Sequence, residues 1–255
     1  MIRINLVKAV FLALIAGAAF GSTIVIPGAD AATNGAAGND FPFNLADQFR
    51  TEIRYQQVYA GSAFGTGPIL ITGIAFRLDA DATFGHAFST TLPNVRIDLS
   101  TTSANPDALS TTFANNVGAD DTIVFGPGAV TLSSTRSGPA AGPQPFDIFI
   151  NFGTPFRYDP SRGNLLFDLR NIDGGSTAEF DTDITPGNAT SRLLSVNVNS
   201  PTGSADTNGL VTEFVFQSAD VPEPCLSMLC GGALLVIALA GVRRRVPGVQ
   251  SRSFR

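Results

Sequence analysis

Short segments in which apolar and polar residues alternate recur through the middle of the chain, with Gly, Pro, Asn and Asp between them. A period of two places apolar side chains on one face of a β-strand and polar side chains on the other. Within 94–102, Val95, Ile97 and Leu99 share one face, and we expect Arg96 and its polar neighbours on the opposite face to contact water. The segments predicted as strands are 52–60, 69–79, 94–102, 122–134, 146–152, 164–170, 193–199 and 211–217.

No long segment of helical periodicity interrupts this series, which argues against alternating strands and helices. Eight or nine short strands in roughly 190 residues fit an all-β fold, an antiparallel β-sandwich or jelly roll. The segment 158–166 contains Asp-Pro and Arg-Gly-Asn, which predicts a hairpin with Gly163 at positive φ. The Pro- and Gly-rich segment 136–145 predicts a surface loop inside the same domain.

The N-terminus has the order of a secretory signal peptide: basic residues, an apolar run, then small residues. Residues 1–31 are therefore predicted to be a signal peptide. Ala29 and Ala31 would occupy the pocket of signal peptidase, with the cut after Ala31. A cut after Ala18 and an uncleaved membrane anchor are the alternatives.

A second apolar stretch, residues 225–242, is uncharged. As a helix it would extend about 27 Å, close to the roughly 30 Å of a bilayer core. Arg243, Arg244 and Arg245 follow directly. The positive-inside rule keeps such charges in the cytoplasm, so we predict a single-pass helix with a cytoplasmic basic tail at 243–255.

Val221, Pro222, Glu223 and Pro224 precede this span. The two prolines lack a backbone N–H and restrict the residues before them, so the peptide is expected to be extended and stiff. A Val-Pro-Glu-Pro motif, an apolar span and an arginine cluster together resemble the C-terminal sorting signal of PEP-CTERM proteins, the substrates of exosortases. The resemblance covers residues 221–255.

The resemblance implies a role for each part of this signal. Pro222, Glu223 and Pro224, with Val221 before them, would be the sorting motif that the exosortase recognises. The arginines at 243–245 would be the retention charges. A membrane-embedded cysteine transpeptidase-like enzyme would cut near the motif and pass on the exported domain, residues 32–220. Much of 92–171 also resembles an ectodomain type that recurs in this family, which carries no established activity.

Two plainer interpretations of the C-terminus stay open. The span could be an ordinary anchor with a proline-rich stalk. Cys225 and Cys230 could carry lipids, although a lipoprotein cysteine normally follows an N-terminal signal. These are the only cysteines, so the middle of the chain has no disulfide. An exported domain without cysteines is more typical of bacteria than of small eukaryotic secreted modules.

Charge and residue inventory exclude several functions. The sole lysine is Lys8 and the formal net charge is −5, so nucleic-acid binding is not expected. His86 is the only histidine and has no nucleophile elbow near it, which favours an exposed loop histidine over a catalytic triad or a zinc ligand. The glutamates Glu52, Glu179 and Glu213 suggest no specific glycosidase pair.

Acidic turns are the remaining candidates for metal chemistry. Carboxylates in turns can bring oxygens to Ca²⁺, but none of these matches an EF-hand loop. Solvated turns are therefore the expectation, with no metal and no cofactor. The turns contain Asp79 and Asp81, Asp120 and Asp121, and Asp181 and Asp183.

The sequence thus predicts a non-catalytic exported protein of the bacterial cell envelope or extracellular matrix. Signal peptidase and the secretion machinery would export it, and it would pause in the inner membrane before an exosortase delivers it to the cell surface or outside. Exopolysaccharide is a candidate partner. The alternative is a secreted carbohydrate-binding or carbohydrate-active domain with the same tail. A sheet face lined by Tyr or Trp would favour glycan binding, but Trp is absent and the only tyrosines are Tyr55, Tyr59 and Tyr158.

Overall fold

The computed structural model describes residues 21–45, 51–140 and 142–219. Chain contacts divide the protein into two units, Met1–Ala219 and Asp220–Arg255, and all described residues belong to the first. These residues form an all-β fold with antiparallel sheets and contain no α-helix. Nor do they include a helix of the length and apolarity needed to cross a bilayer. The predicted span at 225–242 lies outside them.

The strands share antiparallel pairing and are mostly short. They are β1 (Ser22–Ile26), β2 (Ala37–Asn39), β3 (Ile53–Tyr59), β4 (Ile69–Phe76), β5 (Phe88–Thr102), β6 (Thr122–Ser134), β7 (Ile148–Tyr158), β8 (Asn164–Asn171), β9 (Phe180–Asp183), β10 (Thr190–Ser195), β11 (Ser204–Asp206), β12 (Gly209–Leu210) and β13 (Thr212–Ser218).

The described strands form three sheets. The orders are β11-β10-β3-β8-β5-β6, β1-β13-β4-β7 and β12-β9-β2. The six-stranded and four-stranded sheets share one apolar core. The rings of Tyr59 and Phe214 meet across it at 4.9 Å, and those of Phe76 and Phe167 at 6.4 Å. This packing is consistent with the expected sandwich.

The alternation within 94–102 places side chains as predicted on one face only. Val95, Ile97 and Leu99 are fully buried in the core. The prediction that the polar face of this segment contacts water is wrong, because Asp98 and Ser100 are buried as well. The segment after β5 lies over that face, and its Gly118 N–H donates to Ser100 Oγ at 3.0 Å.

Five predicted strands are confirmed as β3, β4, β6, β8 and β13 with small changes at their ends. β5 begins earlier than predicted, at Phe88, and β7 continues to Tyr158. The segment predicted at 193–199 is strand only at its beginning, as part of β10. β1, β2, β9, β11 and β12 were not predicted.

The turn between β7 and β8 confirms the predicted positive φ of Gly163 but not the predicted hairpin. Gly163 has φ of 152°, and a Cβ there would lie 2.6 Å from Thr102 O. The hairpin is wrong, however, because β7 pairs with β4 while β8 lies between β3 and β5. The turn therefore carries the chain from one sheet to the other, and Tyr158 Oη donates to Gly163 O across it at 2.8 Å.

Candidate functional site

The sorting motif, Val221 to Pro224, and the retention arginines, Arg243 to Arg245, lie outside the described residues. The last described strand, β13, ends at Ser218, close before the motif in sequence. Their roles therefore stay predictions.

The predicted signal-peptidase residues are part of the described domain. Ala29 and Ala31 lie exposed in a 3₁₀ turn, Gly28–Ala31, directly after β1. β1 itself pairs with β13 along its whole length, from Ser22↔Phe216 to Ile26↔Thr212. The N-terminal segment from Ser22 onward thus contributes a strand to the four-stranded sheet, and Ile26 contributes a fully buried side chain to the core.

A buried ion pair attaches the same segment to the rest of the domain. The Arg77 guanidinium donates from Nε to Asp181 Oδ2 at 2.6 Å, and both side chains are about 1% exposed. It also donates to the carbonyls of Asp30 and Thr33, at 2.8 and 2.5 Å. The ring of Phe146 lies 4.8 Å below it. One cation therefore binds β9, the N-terminal turn and an aromatic ring together.

An acidic cleft of about 580 Å³ opens between this turn and the segment 183–189. Asp30 and Asp183 both line it, and each is 7% exposed. Asp30 Oδ2 and Asn34 Oδ1 are buried there without a hydrogen-bond partner. Burial, and next the charges of Asp183 and Asp181, raise the pKa of Asp30 to about 6. Two buried carboxyl groups so close need either a proton or a cation between them.

The Asp183 carboxyl has a different balance of influences. Burial pushes its pKa up, but hydrogen bonds from Thr185, and next from the Asn188 and Asp30 side chains, together outweigh burial, so the pKa is lowered. The Thr185 N–H donates to Asp183 Oδ1 at 2.8 Å. Asp183 is therefore the partner that carries the charge of the pair.

The other acidic turns are engaged within the protein. The Arg136 guanidinium donates to the carbonyls of Asp79 and Gly85, at 2.8 and 2.5 Å, and to that of Ala80. A cation thus already occupies that loop's carbonyl oxygens. In the second turn, Asp120 Oδ1 accepts from Thr101 N at 2.7 Å. Over the residues that the structure describes, no three His, Cys, Asp or Glu side chains form a group able to hold a metal.

A charged ladder crosses β3, β8 and β5 on the face away from the core. Arg54 donates to Asp168 at 2.6 Å, Arg170 to Asp98 at 3.2 Å, and Arg96 to Asp98 at 2.6 Å. The Asp98 and Asp168 side chains are only 2% and 4% exposed. Because each carboxylate is buried under its guanidinium partners, the ladder stabilises strand pairing and offers little charge to a ligand.

The titratable residues considered for catalysis belong to different segments of the described domain. His86 is exposed in the loop before β5, as predicted. Glu52 accepts from Val198 N at 3.2 Å, and Glu213 lies on β13 opposite Val25. Burial, and next the charges of Asp40, Asp79 and Asp81, raise the pKa of Glu179.

The tyrosines do not form a surface platform. All three side chains are fully buried, and each hydroxyl is hydrogen-bonded inside the domain. Sugars stack on accessible aromatic faces, so these tyrosines cannot act that way.

The buried network of Asp30, Arg77 and Asp181 was missed by sequence reasoning. The sequence prediction places Asp30 in the signal peptide, residues 1–31, which would be removed. One available signal was the carboxylate itself, because a signal-peptide cleavage region is normally built of small uncharged residues. No family model matches the chain, and no curated protein shows significant similarity to it.

Proposed function

We propose that this protein is a non-catalytic exported component of a bacterial cell envelope or extracellular matrix, sorted by an exosortase at Val221 to Pro224. The observation that carries the proposal is the order of motif, apolar span and arginines in residues 221–245, which follow a β-domain ending in β13 at Ser218.

Delivery follows from the physical character of each part. An N-terminal signal peptide and the apolar span at 225–242 thread the β-domain outward through the inner membrane, while Arg243 to Arg245 hold the tail in the cytoplasm. The Val-Pro-Glu-Pro peptide presents an extended backbone to the exosortase. Cleavage there leaves the helix behind and frees the domain for the cell surface or exopolysaccharide.

We place the signal-peptidase cut after Ala18 instead of after Ala31. A cut after Ala31 would remove β1 and expose the edge of β13. It would also remove Ile26 from the core and the Asp30 carbonyl from Arg77. A cut after Ala18, with Ala16 and Ala18 as the small residues, keeps this part of the domain.

A non-catalytic role is supported by the carboxylates of the described domain, because several of them are held in ion pairs. Asp98, Asp168 and Asp181 bind guanidinium groups. The carbohydrate-binding alternative loses the tyrosine platform that would favour it, because those rings lie in the core.

Substitution of the motif tests the proposal. We expect Pro222→Ser combined with Pro224→Ser to leave full-length protein in the inner membrane of a host that has the exosortase, because the flexible peptide is no longer the recognised substrate. Pro247→Ser, beyond the arginines, is the matched control and should be processed like the unaltered chain. Normal processing of the double variant would refute the proposal, as would unchanged processing in a host without exosortase.

A further inference from the structure

The acidic cleft contains oxygen atoms that the protein leaves without donors. Asp30 is more than nine-tenths buried and lines the cleft, and its Oδ2 has no hydrogen-bond partner. Asn34 Oδ1 lines the same cleft and is also buried without a partner. A buried carboxylate oxygen without a donor is destabilising in a folded protein, and a ligand that accepts electron pairs removes that cost.

The charges around the cleft also favour a bound cation. Asp30 and Asp183 line the cleft together, and Asp181 lies on the same strand as Asp183, β9. Arg77 is the cation that counters them, and it is bound to Asp181. Arg77 therefore neutralises Asp181 alone, and a divalent cation would balance Asp30 and Asp183 and take the place of the proton between them.

The donor set selects the kind of ion. Carboxylate, side-chain amide and backbone carbonyl oxygens suit hard cations, while zinc and copper prefer imidazole and thiolate. The cleft is built from a turn and a loop, and calcium tolerates such irregular coordination with six to eight oxygens, whereas magnesium requires a near-ideal octahedron. We propose that the cleft binds a calcium ion through Asp30, Asp183 and Asn34, with backbone carbonyls and water completing the coordination.

Bound calcium would join two parts of the chain that are distant in sequence. Asp30 lies in the turn after β1, and Asp183 ends β9. The ion would therefore strengthen the docking of the N-terminal strand, beside the Arg77 contacts. This requires Asp30 in the mature protein, as the proposed cut after Ala18 provides.

Titration calorimetry on the full chain in detergent micelles, with calcium chloride at neutral pH, tests the proposal whatever the cellular cut. We expect one site with a Kd no weaker than about 10⁻⁴–10⁻³ M, the range of extracellular calcium modules. The thermal unfolding midpoint should rise with calcium concentration, because the ion binds only the folded chain. Magnesium chloride should produce a clearly smaller rise.

Isosteric variants identify the ligands. Asp30→Asn and Asp183→Asn should each weaken binding about tenfold or more by removing a ligand charge. Asp81→Asn changes the same charge in an exposed loop and should bind calcium like the unaltered chain. Circular dichroism reports whether each variant is folded, and either ligand variant suffices if the other does not fold. An absence of calcium binding, equal stabilisation by magnesium, or unchanged affinity in a folded Asp30→Asn variant would overturn the proposal.

Discussion

Arg77 is the largest fully buried side chain of the described domain. Burial of an ion pair is tolerated only where the remaining donors find partners. Arg77 meets this condition with a carboxylate, two carbonyls and an aromatic ring. Its neighbour Asp181 also accepts from Gly35 N at 2.9 Å. The pair therefore fixes how residues 30–35 dock against β9.

Replacement of Arg77 should be costly. We predict that Arg77→Met lowers the free energy of unfolding by about 3–5 kcal/mol, because Asp181 is left as an uncompensated buried charge. Arg157→Met, on an exposed position of β7, should change it by less than about 0.5 kcal/mol. Urea denaturation followed by circular dichroism measures both. Equal losses in the two variants would show that the buried pair is not specifically stabilising.

The buried tyrosines should make the stability of the folded domain depend on pH. Burial raises the pKa of Tyr55, Tyr59 and Tyr158 above the ordinary value. In the unfolded chain these phenols lose protons at about pH 10, so the folded state then holds more protons than the unfolded state. Stability from this source is complete below about pH 10 and falls as the pH rises further.

We therefore expect phenolate absorbance to rise only together with loss of the β-sheet circular dichroism signal during alkaline titration. The chain has 3 Tyr and no Trp, so the absorbance reports these residues alone. A phenolate signal that appears while the sheets remain intact would contradict the buried placement of at least one ring.

Among the elements, β1 most changes the interpretation of the sequence. Its residues read as the end of an apolar signal, yet they pair with β13 along the strand. We predict that N-terminal sequencing of the exported protein begins at Ala19, because a cut after Ala18 retains β1 whereas a cut after Ala31 removes it. Export of a protein beginning at Ala32 would contradict this prediction and would require β13 to be an edge strand.

Local pattern predicted some elements well and others not at all. β6 occupies the predicted residues, Thr122–Ser134, because its alternation and flanking turns are both clear. The Gly163 turn was also predictable, since its backbone requirement is local. Which sheet receives β8 depends on partners distant in sequence. The cleft was unpredictable for the same reason, since Asp30, in the turn after β1, and Asp183, at the end of β9, come together only in the folded domain.

At the scale of the whole molecule, the proposed function gives the β-domain and the C-terminal segment separate tasks. Outside the acidic cleft, the described domain pairs its buried carboxylates internally, through Arg77 and the charged ladder. Its tasks outside the cell would then be binding or structural. In the proposed function the motif, span and arginines at 221–245 would determine its destination, and their order in the sequence is the basis of that proposal.

Intact mass spectrometry of the mature protein from a host that has the exosortase tests this central claim most directly. We predict a chain that has lost the span and the arginines and ends close to Val221, because cleavage near the Val-Pro-Glu-Pro motif releases the domain. A mature chain that still ends at Arg255 would show a permanent membrane anchor and contradict the account.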